Sequence, residues 1–109
     1  MQDIQDILIG MNIMPCYKGF YQIVRIMNQM TYTNMSEMGK LINGIAKEDG
    51  LNQPAVERSI GNAIKKADRS SAEWSHYIGR DKVTLNEFLS LLFVGRQREL
   101  ISNTMNQEV

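Results

Sequence analysis

Apolar residues recur along this chain at steps of three and four, and no run of alternating β-branched residues extends beyond a few positions. Steps of three and four place side chains on one face of a helix, whereas a half-buried strand needs strict alternation. The pattern therefore predicts an all-α chain of about six helices. Ile4, Ile7, Leu8 and Met11 mark a short first helix, and Pro15 sits in the break that follows. A second helix runs from about Gly19 to Met30, with Phe20, Ile23, Val24 and Met27 on one side. After the polar link "TYTN", Asn34 or Ser36 can cap a third helix carrying Met38, Leu41, Ile42 and Ile45. Gly50 is expected to end it in the left-handed conformation. Asn52 caps a fourth helix over 54–69, with Pro54 in its first turn, where a missing N–H costs nothing. Its buried stripe is Val56, Ile60, Ala63, Ile64 and Ala67. A short helix around Ala72 to Ile78 carries Trp74 and Tyr77, read as core, and Gly79 closes it. "TLNE" from Thr84 to Glu87 is a capping box opening the last helix, which carries Phe88, Leu89, Leu92 and Phe93. Residues 103–109 are expected to form a frayed tail.

The 109 residues suit one domain, 1–109, rather than two. The eight Met residues read as adaptable helical core in preference to a metal or cofactor site. One cysteine, Cys16, permits no internal disulfide, and His76 cannot build a metal site with it at any recognisable spacing. No metal and no cofactor are expected. The longest apolar run, Leu89 to Val94, is broken by Ser90 and too short for a bilayer, so no membrane partner is expected. Asp3 and Asp6 near the N-terminus argue against a signal peptide, and a reducing, cytoplasmic setting follows. No nucleophile–base pair or phosphate loop is visible, which argues against an enzyme.

Twelve Lys plus Arg balance twelve Asp plus Glu, so the formal net charge is zero. That counts against a nucleic-acid binder, because phosphate contacts need a basic patch. The local balance differs. From Glu57 to Arg69 the cations Arg58, Lys65, Lys66 and Arg69 outnumber Glu57 and Asp68, four against two, a net of +2. A solvated helix face can carry the same charges.

The third and fourth helices are joined by the short link "GLN". Two helices with a short Gly-containing turn describe a helix-turn-helix. Ala46 is small enough for close packing, Gly50 can take a positive φ, and Val56 comes early in the second helix to lock the crossing. Asp49 departs, since that position is usually apolar. A plain αα-hairpin can share the pattern. In a helix-turn-helix the fourth helix would enter the major groove. Gln53 can pair with adenine, Glu57 can accept from cytosine and Arg58 can take guanine or a phosphate. Glu57 also suits the positive helix N-terminus without any DNA. Gly61, inside the helix, costs roughly 1 kcal/mol relative to Ala, so either something approaches closely there or the chain tolerates it.

The segment "GIAKEDGLNQPAVERSIGNAIKKA" resembles the helix-turn-helix of the C-terminal effector domain of the stage zero sporulation protein A response-regulator family. "PCYKGFYQI" looks like that family's turn into its second helix, and "VTLNEFLSLL" like its final helix. The resemblance runs from Ile4 to Leu100. It implies an all-α bacterial domain that binds double-stranded DNA, dimerises on tandem boxes and regulates sporulation-phase transcription. Glu57 and Arg58 fall on the family's recognition positions. Ala55 stands where the family usually has Arg, and Gly61 and Asn62 stand where it has Arg-His, so three potential DNA contacts are absent. The fold transfers and the target sequence does not. The family also couples this domain to a receiver domain phosphorylated on Asp. A chain opening at Met1 leaves no room for one, and reads as a cut piece or a stand-alone paralogue.

Two readings follow. In the first, a DNA-binding transcription regulator, Gln53, Glu57 and Arg58 read bases, and Lys47, Asn62, Lys65, Arg80 and Lys82 touch phosphates, with a homodimer forming on DNA. In the second, an interaction module keeps the fold, has lost specific DNA contacts, and pairs with a full-length relative or another protein.

Overall fold

The computed structural model describes residues 3–107, with side chains described to residue 102. Among the described residues the chain is all-helical, without a strand. In order come α1 (Ile4–Gly10), α2 (Lys18–Gln29), a single 3-10 turn (Met35–Glu37), α3 (Met38–Glu48), α4 (Gln53–Lys65), α5 (Ala72–Tyr77) and α6 (Leu85–Gln107). The all-α expectation holds.

Local chemistry sets most helix starts. A helix leaves its first N–H groups without partners, and a short polar side chain just before it supplies one. Asp3 Oδ1 accepts from the Asp6 N–H, Asn52 Oδ1 from Ala55 and Ser71 Oγ from Trp74. The capping box forms in both directions: Glu87 N–H donates to Thr84 Oγ1 at 3.1 Å, and Thr84 N–H to Glu87 Oε1 at 3.0 Å.

The apolar stripes meet in one core. Ile7, Leu8, Ile23, Ile45, Val56, Ile60, Phe88 and Leu92 have no exposed surface. Each such side chain contributes roughly 1.5–3 kcal/mol by leaving water. Trp74 stacks on Phe88 with ring centroids 5.8 Å apart, and its indole N–H donates to the Arg80 carbonyl at 2.7 Å. Trp74 and Tyr77 are core residues, as expected. No helix among the described residues is long and apolar enough to cross a membrane.

Two boundaries differ from the sequence reading. Neither Asn34 nor Ser36 caps α3. The Asn34 Oδ1 instead accepts from the Thr31 N–H at 2.7 Å, closing the preceding turn, and the 3-10 turn leads into α3. The fourth helix stops at Lys65, not Arg69. Arg69 turns back to donate to the Ile64 and Ala67 carbonyls, and the Asp68 N–H goes to the Met11 carbonyl. Asp68 also accepts from the Ser70 N–H and hydroxyl, a local turn that competes with the helix. Ala67 is consequently only half-buried. At the C-terminus α6 is assigned through Gln107; residues 108 and 109 lie outside the described residues.

Candidate functional site

The turn between α3 and α4 is closed by its own backbone. Gly50 has φ +67°, a region that suits glycine because it has no Cβ. Its N–H donates to the Lys47 carbonyl at 3.2 Å, and the Leu51 N–H to the Ala46 carbonyl at 2.8 Å. These are the paired bonds of a Schellman end. Ala46 and Val56 are fully buried on either side of the turn. Leu51 does not join them: it is 46% exposed.

The structure adds a third helix to this unit. Gly19, in the first turn of α2, lies against α4, where a Cβ built on it would meet the Ser59 carbonyl oxygen at 2.5 Å and the Ala63 Cβ at 3.0 Å. The two helices touch there. Along the same faces an open groove of about 540 Å³ runs between α2, the turn and α4. From α2 come Lys18, Tyr21, Gln22 and Arg25, and from α4 come Arg58, Ser59 and Asn62. Arg25 explains the departure at Asp49. Its guanidinium donates to both Asp49 carboxylate oxygens, at 2.8 and 2.9 Å, and to Glu48. The acidic end of α3 is thereby tied to α2, and one of its two negative charges is offset. Lys18 and Arg58, both exposed, have no ion-pair partner among the described residues.

Among the described residues Gln22 is the one buried polar side chain, 6% exposed, and its Oε1 has no hydrogen-bond partner there. A buried polar atom left unpaired costs about 1–3 kcal/mol. Such a group calls for an explanation, and here the same side chain lines the groove.

Of the eight contact candidates named from the sequence, only Arg58 and Asn62 come together in this groove. Gln53 and Glu57 are half-buried and satisfy each other, Nε2 donating to Oε1 at 2.8 Å. Gln53 also lies near α3, its Nε2 3.7 Å from where a Gly39 Cβ would stand. Lys47 and Lys65 are exposed in the last turns of α3 and α4, outside the groove lining. Arg80 pairs with Glu87 at 2.9 Å and lines a separate hollow beside Arg69 and Trp74. Lys82 is exposed in the loop before α6.

The basic stretch after Arg58 also divides. Arg69 caps the carbonyl end of α4 and lies 4.1 Å from the Trp74 ring, and Lys66 lies 4.3 Å from the centre of the Tyr17 ring. Nothing approaches Gly61: a Cβ there would meet no atom within 4 Å.

Lys18, Tyr21, Gln22 and Arg25 were not singled out from the sequence. One signal was present. Gln22 stands inside the apolar face formed by Gly19, Phe20, Ile23 and Ile26, where a glutamine is out of place.

Other polar clusters are smaller. Glu99 Oε1 accepts from the Tyr77 hydroxyl at 2.6 Å and lies 3.0 Å from His76 Nε2, tying α5 to α6. Burial first, and then that hydrogen bond, push the Tyr77 phenol well above its usual range. Among the described residues no group of three His, Cys, Asp or Glu side chains is placed to hold a metal ion. No protein-family model, curated protein or solved structure gives a significant match to the chain.

Proposed function

We propose that this chain is a sequence-specific DNA-binding transcription regulator of the sporulation-effector type, with α4 in the major groove and α2 beside the DNA backbone. The observation that carries the reading is the pair of unpartnered cations, Lys18 and Arg58, on adjoining faces of α2 and α4. Arg58 and Asn62 project from a helix whose opposite side, Val56, Ile60 and Ala63, is locked into the core. A rigid helix with a polar outer face and cations at its flank suits groove entry and phosphate contact. Arg25 supports the reading by offsetting one of the two negative charges of Glu48 and Asp49, which would otherwise repel a phosphate backbone more strongly. Gln53 and Glu57 act as one hydrogen-bonded unit, so base reading would rest on that pair together with Arg58. Two copies bound side by side would offset the small number of cations through effective concentration.

The test is selection from a random duplex pool at two salt concentrations. An enriched motif is expected, with affinity falling as salt rises by a logarithmic slope of roughly 0.9 per phosphate contacted. Lys18→Ala is expected to reduce that slope by about one. Arg58→Ala is expected to weaken binding and relax the motif at one position. Failure to enrich any motif sinks the proposal.

A second reading, an interaction module that binds a full-length relative or another protein, is favoured by Gln53 and Glu57 bonding to each other. It is favoured also by the exposed apolar surface of Tyr21 and Leu51 along the groove.

A further inference from the structure

The last helix outruns the core it packs on. Phe88, Leu89, Leu92 and Phe93 bury one side of α6, but from Val94 to Ser102 no side chain is buried. The helix nevertheless continues through Gln107. Glu99 ties this half to α5 through Tyr77 and His76, a polar contact. Helices in proteins draw most of their stability from packing an apolar face. The helical period puts Glu87, Leu91, Val94, Arg98 and Ile101 on the side of α6 turned from the buried four. A surface helix is expected to be polar there. Here Leu91 and Val94 are only half-buried, and Ile101 is 54% exposed. Their spacing keeps them in one seam, as in helices that pair along their length.

The order of charge along the seam says what covers it. From Glu87 to Arg98 it runs acid, Leu91, Val94, base, at steps of four, three and four. Reversed, the same steps carry base, apolar, apolar, acid. The seam is therefore its own complement against an antiparallel copy. Glu87 of each copy meets Arg98 of the other, and Leu91 meets Val94 between them. The same register sets Ile101 against Thr84, beside the half-buried Val83. Arg98 has no ion-pair partner among the described residues. Glu87 holds Arg80 and Thr84, yet a carboxylate offers about four acceptor positions, and 43% of this side chain stays exposed. A self-complementary patch is what a two-fold dimer requires.

We propose that α6 pairs antiparallel with α6 of a second copy about a two-fold axis, through Glu87, Leu91, Val94, Arg98 and Ile101. The seam is small beside the roughly 800 Å² per partner of a standard interface, so the dimer is weak, with a dissociation constant on the order of 10–100 μM. The pairing does not rest on the DNA reading, and none of its residues belongs to α2, α3 or α4.

The experiment is sedimentation equilibrium of the full chain, without DNA, from about 5 to 300 μM, a span set by that dissociation constant. A monomer–dimer equilibrium is expected. Val94→Asp and Ile101→Asp should each weaken it about tenfold or more. Arg98→Glu and Glu87→Lys each set like charges together, and each should be monomeric alone. Mixed in equal amounts, they place opposite charges at both ends of the seam, and a heterodimer should return. Circular dichroism checks that each variant is folded. Glu87→Lys also removes a capping contact; should it unfold, the other three variants, which leave the cap intact, decide the matter. A monomer at every concentration, a dimer indifferent to Val94→Asp, Ile101→Asp and Arg98→Glu, or a folded mixture that stays monomeric would overturn the proposal. A failed duplex selection leaves all of these outcomes intact.

Discussion

Gly19 of α2 and Ser59 of α4 approach so closely that a Cβ on Gly19 would lie 2.5 Å from the Ser59 carbonyl oxygen. The obstructing atom is backbone, so it cannot swing aside as a side chain would. Gly19→Ala must therefore push α2 away from α4. We expect a loss of about 1–3 kcal/mol, the usual range for overpacking, read as a lower urea midpoint. An unchanged midpoint would mean that the two helices do not meet at this point. Because the groove is bounded by the same two helices, the variant should also disturb its lining residues.

Gly61 gives the opposite expectation. It lies inside α4, and an added Cβ would meet nothing within 4 Å. Gly61→Ala should raise stability by roughly 0.5–1 kcal/mol, through the lower entropy cost of fixing alanine in a helix. Thermal denaturation measures it, and a fall in Tm would contradict the open surface there.

Gln22→Leu removes a buried amide oxygen that has no partner and keeps apolar bulk in its place. Relieving such a group should leave stability unchanged or raise it by about 1 kcal/mol. A loss above that size in urea denaturation would indicate that the amide is satisfied in solution.

Arg25 ties α2 to the end of α3 through Glu48 and Asp49. The three side chains are only partly buried, so Arg25→Ala should cost about 1 kcal/mol or less, and the cost should shrink as salt is added. Any larger effect is expected in DNA binding, since the variant leaves two carboxylates uncompensated beside the proposed backbone contact. Comparing stability with duplex affinity separates the two.

Acid should loosen the start of α6. The Thr84 backbone N–H, and then its hydroxyl, with Arg80 adding less, hold the Glu87 carboxyl below the ordinary glutamate range. A carboxyl with a lowered folded-state pKa contributes stability that is fully present above its unfolded-state pKa. That contribution disappears as pH falls through the folded-state pKa. The wild type should therefore lose stability on moving from neutral pH into the acid range, and Glu87→Gln should lose less over the same interval. Urea midpoints at neutral and acid pH check this, and identical pH dependence in the two proteins would refute it.

Several features were legible in the residues themselves. Helix identity followed from apolar spacing, because each stripe has to reach a core and only a helix puts those positions on one face. The caps at Asn52 and Thr84 and the left-handed Gly50 were legible because each is settled within a few residues of itself. Some misses were local alternatives, as where Asn34 accepts from Thr31 instead of capping α3, and others came from contacts far along the chain. The fourth helix looked four residues longer than Lys65 because nothing in its own spacing shows that Asp68 bonds to Met11.

The candidate site divides in the same way. Arg58 and Asn62 could be placed on the outer side of their helix from periodicity alone. The association of Lys18 and Arg25 with them depends on α2 crossing α4 at Gly19, a meeting of residues about forty positions apart in the chain. Periodicity tells which side of a helix faces the core, but it cannot tell which other helix supplies the neighbouring wall. That choice is made by the packing of all the stripes together. It is why the unpaired amide of Gln22 came to lie beside the groove that Lys18 and Arg58 line.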